Sequence, residues 1–397
     1  MTVPTSFSAS DSALGYLYQV RLALLSSLER LGQDQTFAVY LETLDDVVFE
    51  STGSAFELLQ LKHHCQRAAN LTDASPDLWK TLRVWIDGRA RGAIPVDAQL
   101  FLITTSDVGV GSAASKLMVR ERNEADALKK LDQTVMTSTS ETNEPAYKLY
   151  RALSDADKRR LLATVVIAPH APSITEVLSG IRAEARLAVR REHLDSFVSR
   201  LEGWWFGRAV RQLSAEGSHP ILSAEIESEI DDLREQFKRD ALPVDRDILD
   251  SEVDAATYEN AVFVQQARLT GVANSRILFA IRDFYRAFEQ RSRWMREELL
   301  LVGELDSYER LLREEWELQF ARAADELGEI AAEDAKRSAA ARIYSWVEES
   351  CYPIRPQVKH PSMTRGSFHM LADTLKVGWH PEFLQRLKHL LEPKEAS

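Results

Sequence analysis

The sequence has few cysteines, no long apolar run and no excess of positive charge, and each shortage excludes a class of protein. Only two of its 397 residues are cysteines, Cys65 and Cys351. Their wide separation excludes a disulfide framework and a zinc ribbon, and we expect two buried thiols. No segment approaches the roughly 18 apolar residues of a membrane span, and the N-terminal stretch lacks the basic and apolar regions of a secretion signal. We therefore expect a cytoplasmic protein that does not contact membranes.

The net charge of −12 argues against a protein that coats nucleic acid with its whole surface. The acidic residues are unevenly distributed: up to Glu225 there are 25 basic and 28 acidic residues, so roughly −9 of the charge follows that position. This distribution predicts that the N-terminal part can face a polyanion, while the C-terminal part suits protein partners.

The spacing of apolar residues predicts an α/β fold for residues 1–225, with a mixed sheet flanked by helices, and a mainly α-helical domain for residues 226–397. In the first part the predicted helices are Ser12–Leu31, Ser75–Arg89, Ile174–Val189 and His193–Leu213, and the predicted strands are Phe37–Thr43, Asp46–Glu50, Phe56–Lys62, Gln99–Ser106 and Ala163–Ala168. In the second part the predicted helices are Phe279–Val302 and Leu305–Ala332. Asp240–Glu252 lacks periodicity and is the best linker candidate, and residues 351–383, rich in Pro, Gly and His, predict an ordered but irregular cap.

The third predicted strand carries unusual polar residues near its end. Gln60 and Lys62 project from the same face, because residues two apart on a strand share a face. Phosphodiester hydrolysis requires a divalent metal held by oxygen ligands and a positive group that stabilises the developing charge. Asp46 at the preceding hairpin, with Gln60 and Lys62, meets that requirement. The alternative is a solvated strand edge with a surface lysine.

Three short stretches in this part also resemble a known family: ALGYLYQ (13–19), LETLDD (41–46) and LLQLKH (58–63). They resemble the signature of the double-stranded-DNA nuclease domain of CD-NTase-associated effector proteins, a branch of the PD-(D/E)xK superfamily. The resemblance spans roughly the first 210 residues and implies a restriction-endonuclease-like sheet. It also implies Mg²⁺ or Mn²⁺ as cofactor and double-stranded DNA as substrate.

The resemblance implies a role for each matching residue. Asp46 would be the metal-binding aspartate, Gln60 a neutral ligand in the second acidic position, and Lys62 the catalytic lysine. Glu42 and Asp45 match the acidic cluster of the family, and one of them would complete the metal shell. Gln19 matches a glutamine beside the site. Because Gln60 is neutral where the parent superfamily has an acid, the site holds less negative charge, which argues against tight binding of two metals.

A second resemblance covers the C-terminal part. The stretch DFYRAFEQRSRWMREELLLVGELDSYERLLREEW (283–316), followed by PIRP, TRGSFHMLAD and VGWHPEF, resembles the C-terminal domain of effector subunits in ABC three-component systems, the group that includes Lamassu antiphage defence. It implies an SMC/ABC-type ATPase and a small third subunit as partners, and leaves room for a homo-oligomeric active form. Trp294 and Trp316 are expected as exposed interface anchors.

Two functions remain open at this point. One is a metal-dependent DNA endonuclease subunit that an ATPase restrains until foreign DNA is sensed. The other is a non-catalytic adaptor that links the ATPase to DNA. The intact set of Asp46, Gln60 and Lys62 favours the endonuclease.

Several other groups invite functional interpretations that the sequence does not favour. His63, His64 and Cys65 lack a second cluster with zinc-ligand spacing. Trp204–Phe206 is expected in the core. Arg365, His369 and His380 have no nucleophile or carboxylate partner in the sequence pattern, so we expect structural roles. Arg291, Arg293 and Arg296 alternate with glutamates, which predicts either a solvated helix face or a docking surface.

Overall fold

The structure is a computed structural model that describes residues 9–51, 54–62, 70–214, 219–328 and 331–391. The chain forms two compact units that divide between Asp232 and Leu233, a few residues beyond the predicted boundary at Glu225. No helix among the described residues is long and apolar enough to span a membrane.

The first unit is an α/β domain built on a mixed sheet. Its helices are α1 (Ala9–Leu31), α2 (Pro76–Ala90), α3 (Glu124–Thr137), α4 (Glu144–Ala152), α5 (Asp155–Thr164), α6 (Ile174–Ala185), α7 (Leu194–Ser214) and α8 (Ser223–Gln236), which ends beyond the boundary. Its strands are β1 (Ala38–Leu41), β2 (Val47–Ser51), β3 (Ser54–Lys62), β4 (Asn70–Leu71), β5 (Gln99–Thr104), β6 (Asp107–Val108), β7 (Val165–Ala168) and β8 (Ile221–Leu222). Six strands form one sheet in the order β7-β5-β3-β2-β1-β8, and β4 pairs with β6 separately. The predicted mixed α/β class is confirmed, and each predicted helix and strand of this unit overlaps an observed one, with different ends.

The register of the sheet positions the candidate residues. Strand β3 pairs antiparallel with β2, with Val47 opposite Leu59, and parallel with β5, with Lys62 opposite Thr104. Strand β7 continues the parallel part on the far side of β5. The β1–β2 turn and the carboxyl end of β3 therefore lie at the same edge of the sheet.

Helix α2 covers the sheet with the apolar face that its sequence predicts. Pro76 occupies its first turn, where the missing N–H costs no helical hydrogen bond. Trp79 and Trp85 are completely buried and join the core formed with strand residues such as Leu100 and Leu102. This packing places the Trp85 indole beneath the β1–β2 turn.

The second unit is helical, as predicted. Its helices are α9 (Arg246–Leu249), α10 (Val262–Leu269), α11 (Asn274–Arg296), α12 (Glu304–Leu327), α13 (Glu333–Glu349), α14 (Pro361–Asp373) and α15 (Phe383–Leu387). Helices α11 and α14 cross closely at Gly366, where a Cβ atom would lie only 2.0 Å from the backbone oxygen of Asp283. Glycine is therefore required at this crossing.

Two structural predictions for the second unit are wrong. The segment Asp240–Glu252 is not a free linker, because Ala241 and Leu242 are buried and the Trp294 indole donates to the Pro243 carbonyl over 2.7 Å. The predicted irregular cap contains the regular helix α14. That helix is buried on most of its surface and includes polar core residues, so its sequence shows no amphipathic period.

Two side-chain predictions also fail. Trp294 and Trp316 are buried rather than exposed anchors, and each indole N–H donates to a backbone carbonyl within the second unit. Cys351 is exposed instead of buried, whereas Cys65 lies outside the described residues.

Candidate functional site

Asp46 is the centre of the candidate site, at the end of the β1–β2 turn. Its Oδ2 atom accepts a hydrogen bond from the backbone N–H of Leu61 over 2.6 Å and another from the Gln60 side-chain amide. Its Oδ1 atom accepts no hydrogen bond from any described residue. Strand β3 therefore orients the carboxylate and leaves one oxygen available to a ligand.

Asp45, the preceding residue, points into the protein and is 7% exposed. Its Oδ2 accepts from the Trp85 indole N–H over 2.6 Å, and its Oδ1 accepts from the Asp46 backbone N–H over 3.1 Å. Burial raises the pKa of the Asp45 carboxyl to about 7, and the Asp46 charge adds to this effect while the Trp85 bond opposes it. Asp45 thus holds the turn in place rather than facing solvent as a metal ligand.

Glu42 begins the same turn in a left-handed conformation, with φ of +52°. Its backbone N–H donates to the Asp46 carbonyl over 3.1 Å, which closes the turn. Partial burial of the Glu42 carboxyl raises its pKa, and the Asp46 charge raises it further, whereas the Lys62 charge lowers it. The two carboxylates and the ammonium are therefore close enough to act on one another.

Lys62 is the last residue of β3, and its half-exposed side chain faces the acidic turn. Its charge opposes the rise in the pKa of both Glu42 and Asp45. Within the described part of the chain it forms no ion pair, so its ammonium remains available. Gln60, two residues earlier, is 7% exposed and bonded to Asp46.

The side chains around Asp46 offer oxygen donors of the kind that bind a divalent cation such as Mg²⁺. Among the described residues there is no group of three or more His, Cys, Asp or Glu side chains arranged around one metal position. The free Asp46 oxygen, the nearby Glu42 carboxylate and the Gln60 amide are, however, oxygen donors. Mg²⁺ typically binds one or two carboxylates and completes its shell with water and substrate phosphates. The residues therefore fit a single Mg²⁺ that shares its shell with a phosphate.

The structure brings together five of the predicted residues, Glu42, Asp45, Asp46, Gln60 and Lys62, at one edge of the sheet. It leaves Gln19 on α1 without a hydrogen bond to the acidic turn in the described residues.

Sequence inspection missed two neighbours of the site. Trp85 supports Asp45, and Tyr16 on α1 is close enough for the Glu42 charge to raise its pKa, after a larger effect of burial. Trp85 belongs to the regular apolar pattern of α2, so nothing in that pattern distinguishes it from an ordinary core residue.

The remaining candidates have other roles or no described position. His63, His64 and Cys65 lie outside the described residues. Arg291 is buried and paired with Glu309, and Arg293 is paired with Asp247, so neither a solvated face nor a docking surface describes them. The carboxylate partner that the sequence did not show for Arg365 is Asp283, whose Oδ2 lies 2.8 Å from Arg365 Nε.

The Trp204–Phe206 cluster is only partly in the core. Trp205 is buried and donates its indole N–H to the Val20 carbonyl over 2.7 Å. Phe206 is 45% exposed. The expectation of a core position is therefore confirmed for Trp205 and wrong for Phe206.

These features define the class of protein: an α/β domain with oxygen donors and a lysine at one sheet edge, joined to a helical domain. Residues 263–387, in the helical domain, match the family model of C-terminal domain 7 of the ABC-three component (ABC-3C) systems. The helical domain is thus similar to the C-terminal domains found in these multi-component systems.

No curated protein matches the chain. The chain is similar to the solved structure of the Acinetobacter baumannii Cap4 SAVED/CARF-domain containing receptor with the cyclic trinucleotide 3'3'3'-cAAA, at 12% identity and a TM-score of 0.34. The similarity covers 70% of this chain and 66% of that one, just under two thirds of its length. A similarity this weak shows neither a shared site nor a shared activity.

Proposed function

We propose that the protein is a metal-dependent DNA endonuclease and the effector subunit of an antiphage defence complex of the Lamassu type. The observation that carries the proposal is the placement of Asp46, Gln60 and Lys62 side by side, with one Asp46 oxygen unbonded among the described residues. The resemblance of the three N-terminal stretches to PD-(D/E)xK nucleases supports it.

The chemistry follows from the positions of these side chains. Asp46 and Glu42 would hold a divalent cation with the Gln60 amide oxygen, and the bound cation would supply Lewis acidity at the scissile phosphate. Lys62 stabilises the negative charge that develops on the phosphate and orients the attacking water. Asp45 and Trp85 hold the turn that carries Asp46, so the carboxylate need not reorganise when DNA binds.

Control of this activity is assigned to the C-terminal domain. Its match to ABC-three component systems supports docking to partner subunits. In the proposed complex an SMC/ABC-type ATPase and a small third subunit restrain the nuclease and release it when foreign DNA is sensed.

The first prediction tests catalysis directly. Lys62→Ala should reduce Mg²⁺-dependent cleavage of plasmid DNA by about 100-fold or more, because the developing charge loses its stabilising cation. Lys80→Ala, which removes an exposed lysine on α2, is the matched control and should cut at the wild-type rate.

Circular dichroism of both variants should be unchanged, since a half-exposed lysine at a strand end contributes little to stability. Wild-type cleavage by the Lys62→Ala protein would exclude the catalytic assignment. A wild-type chain that binds DNA without cutting it in Mg²⁺ or Mn²⁺ would instead favour the adaptor.

A further inference from the structure

The second unit contains a small cavity, with several charged residues in its wall, where α11, α13 and α14 meet. It is lined by Phe279, Ala280, Arg282, Asp283, Tyr344, Glu348, Arg365 and His369 and has a volume of about 90 Å³. Gly366 lets the two helices α11 and α14 approach so closely that Arg365 of α14 contacts Asp283 of α11. The close crossing therefore places this pair in the cavity wall.

The arginines around the cavity outnumber the buried carboxylate of Asp283, whose Oδ1 atom also has no hydrogen-bond partner among the described residues. Two carboxylates line the cavity: Glu348 is bound by two nitrogens of Arg276, and Asp283, which is 3% exposed, is paired with Arg365. Around Asp283 stand Arg282, Arg286 and Arg365, and the Nε groups of all three lack a hydrogen-bond partner of good geometry within the described residues. Three guanidinium groups thus face one carboxylate.

The positive charges of these arginines repel one another, which affects the pKa of Arg286. Burial lowers the pKa of Arg286, and the neighbouring charges of Arg282 and Arg365 lower it further, while Asp283 opposes the change. An anion placed among them would relieve this repulsion. The excess of positive charge is local, because the unit as a whole is acidic.

One residue of the cavity wall also has a deeply buried polar atom without a partner among the described residues. His369 is 2% exposed, and its Nδ1 atom bonds to no group in the described parts of the chain. Buried polar atoms are nearly always hydrogen-bonded, so such an atom in a cavity wall points to a missing ligand or water. Arg282, by contrast, keeps a partly exposed side chain over the ring of Phe279 at the mouth, where it can reach an incoming group.

We infer that this cavity binds one phosphate group, held by the guanidinium groups of Arg282 and Arg365 and by the imidazole of His369. Arginine favours phosphate because its planar array of donors matches the phosphate oxygens. The cavity, of about 90 Å³, has room for one phosphate group. The group is either free inorganic phosphate or the terminal phosphate of a mononucleotide whose remainder lies outside, beside Phe279.

The test is isothermal titration calorimetry of the full chain with inorganic phosphate, AMP and adenosine at constant ionic strength. We expect one phosphate per chain with a dissociation constant of about 1 mM or tighter. Arg282→Ala should weaken this affinity about tenfold or more, because it removes a charged hydrogen bond. Arg296→Ala, which removes an exposed arginine from the same helix, is the matched control and should bind as the wild type does.

Two further variants distinguish the site from its alternatives. Asp283→Asn should tighten phosphate binding, since it removes a repelling carboxylate but keeps an acceptor for Arg365. Lys62→Ala should bind phosphate normally, which separates this cavity from the candidate nuclease site. Tight binding of AMP but not adenosine would identify a nucleotide phosphate, and binding of inorganic phosphate alone would identify the free ion.

Three results would overturn the inference. They are the absence of saturable binding to the wild type below about 10 mM phosphate, an equal loss of affinity in Arg282→Ala and Arg296→Ala, or adenosine binding as tightly as AMP. Circular dichroism confirms that each variant is folded before its titration is interpreted.

Discussion

The carboxyl group of Asp45 links the stability of the N-terminal unit to pH. Unfolded, this group releases its proton near pH 4, whereas in the folded protein burial keeps it protonated up to about pH 7. The folded state therefore binds more protons between these values, and its free energy of unfolding falls as pH rises through that interval. Asp45 thus holds the turn in place but lowers the stability of the N-terminal unit as pH rises toward 7.

We predict that Asp45→Asn removes this contribution. The stability of the variant relative to the wild type should rise between pH 4 and pH 7, by at most about 4 kcal/mol. Urea unfolding at a series of pH values in the presence of a chelator measures the difference. Trp85→Phe removes the hydrogen bond that lowers the Asp45 pKa. In this variant the loss of stability should extend to higher pH than in the wild type. If the difference in free energy of unfolding between Asp45→Asn and the wild type does not change from pH 5 to pH 8, the pKa of the Asp45 carboxyl is not raised by burial.

Gln60 is neutral at a position where its amide donates to Asp46. In Gln60→Glu the donor is replaced by a second carboxylate, so without metal we expect a loss of about 1–3 kcal/mol. A bound divalent cation would be held more tightly by the added charge. The melting temperature should therefore rise more on addition of Mg²⁺ than it does in the wild type.

The control for this prediction is Gln133→Glu, an exposed change on α3 that should not alter the response to Mg²⁺. If Gln60→Glu responds to Mg²⁺ no more than the wild type does, Gln60 does not ligate the metal.

The helix pair α11 and α14 depends on the absence of one side chain. A Cβ at position 366 would lie 2.0 Å from the Asp283 carbonyl and 2.5 Å from the Ala287 Cβ, and neither neighbour can rotate away. The same two helices carry Arg282, Asp283 and Arg365, so their distance sets the geometry of the proposed phosphate cavity.

We predict that Gly366→Ala destabilises the second unit by about 3 kcal/mol, because the helices must separate. Gly203→Ala is the matched control, since nothing lies within 4 Å of its added Cβ, and a helical Ala should stabilise by up to about 1 kcal/mol. Chemical denaturation followed by circular dichroism compares them. Equal stability of the two variants would show that the helices are not in close contact.

The distribution of charge over the whole chain differs from the sequence-based expectation. Divided at the structural boundary, the first 232 residues carry 25 basic and 32 acidic residues, and the rest carry 24 and 29. Residues 226–232 carry four acidic residues and belong to the first unit, so the net negative charge is not concentrated in the C-terminal part as predicted. Both units are acidic, so net charge does not decide which of them contacts DNA.

In the proposed complex, partner docking then depends on local surfaces of the C-terminal domain. Phe288 and Met295 lie two turns apart on one face of α11 and are 45% and 55% exposed. Such apolar side chains can anchor an interface, a role that the buried Trp294 and Trp316 cannot fill.

We predict that the double variant Phe288→Glu and Met295→Glu loses co-purification with the partner subunits of its system but still melts as the wild type does. Leu318→Glu, a comparable change of an exposed leucine on α12, is the control and should retain the partners. Retention of the partners by the double variant would place the docking surface elsewhere.

Local sequence patterns were sufficient for the main elements of the first unit. The apolar period of α1 and α2 and the apolar runs of β3 and β5 specify these elements because each buries one face against a core. The spacing of Gln60 and Lys62 likewise places both on one face of β3. The sequence also predicts Asp46 as a partner of Gln60 and Lys62, because the hairpin brings its strand beside β3.

Long-range packing determined the rest. The Asp45–Trp85 bond joins residues 40 positions apart, and the Arg365–Asp283 contact joins two helices through a glycine crossing. Helix α14 and the packed segment near Pro243 bury polar or irregular surfaces, so neither has a period that can be recognised along the chain. Which carboxylate turns inward and which keeps a free oxygen depends on partners that only the folded chain brings together.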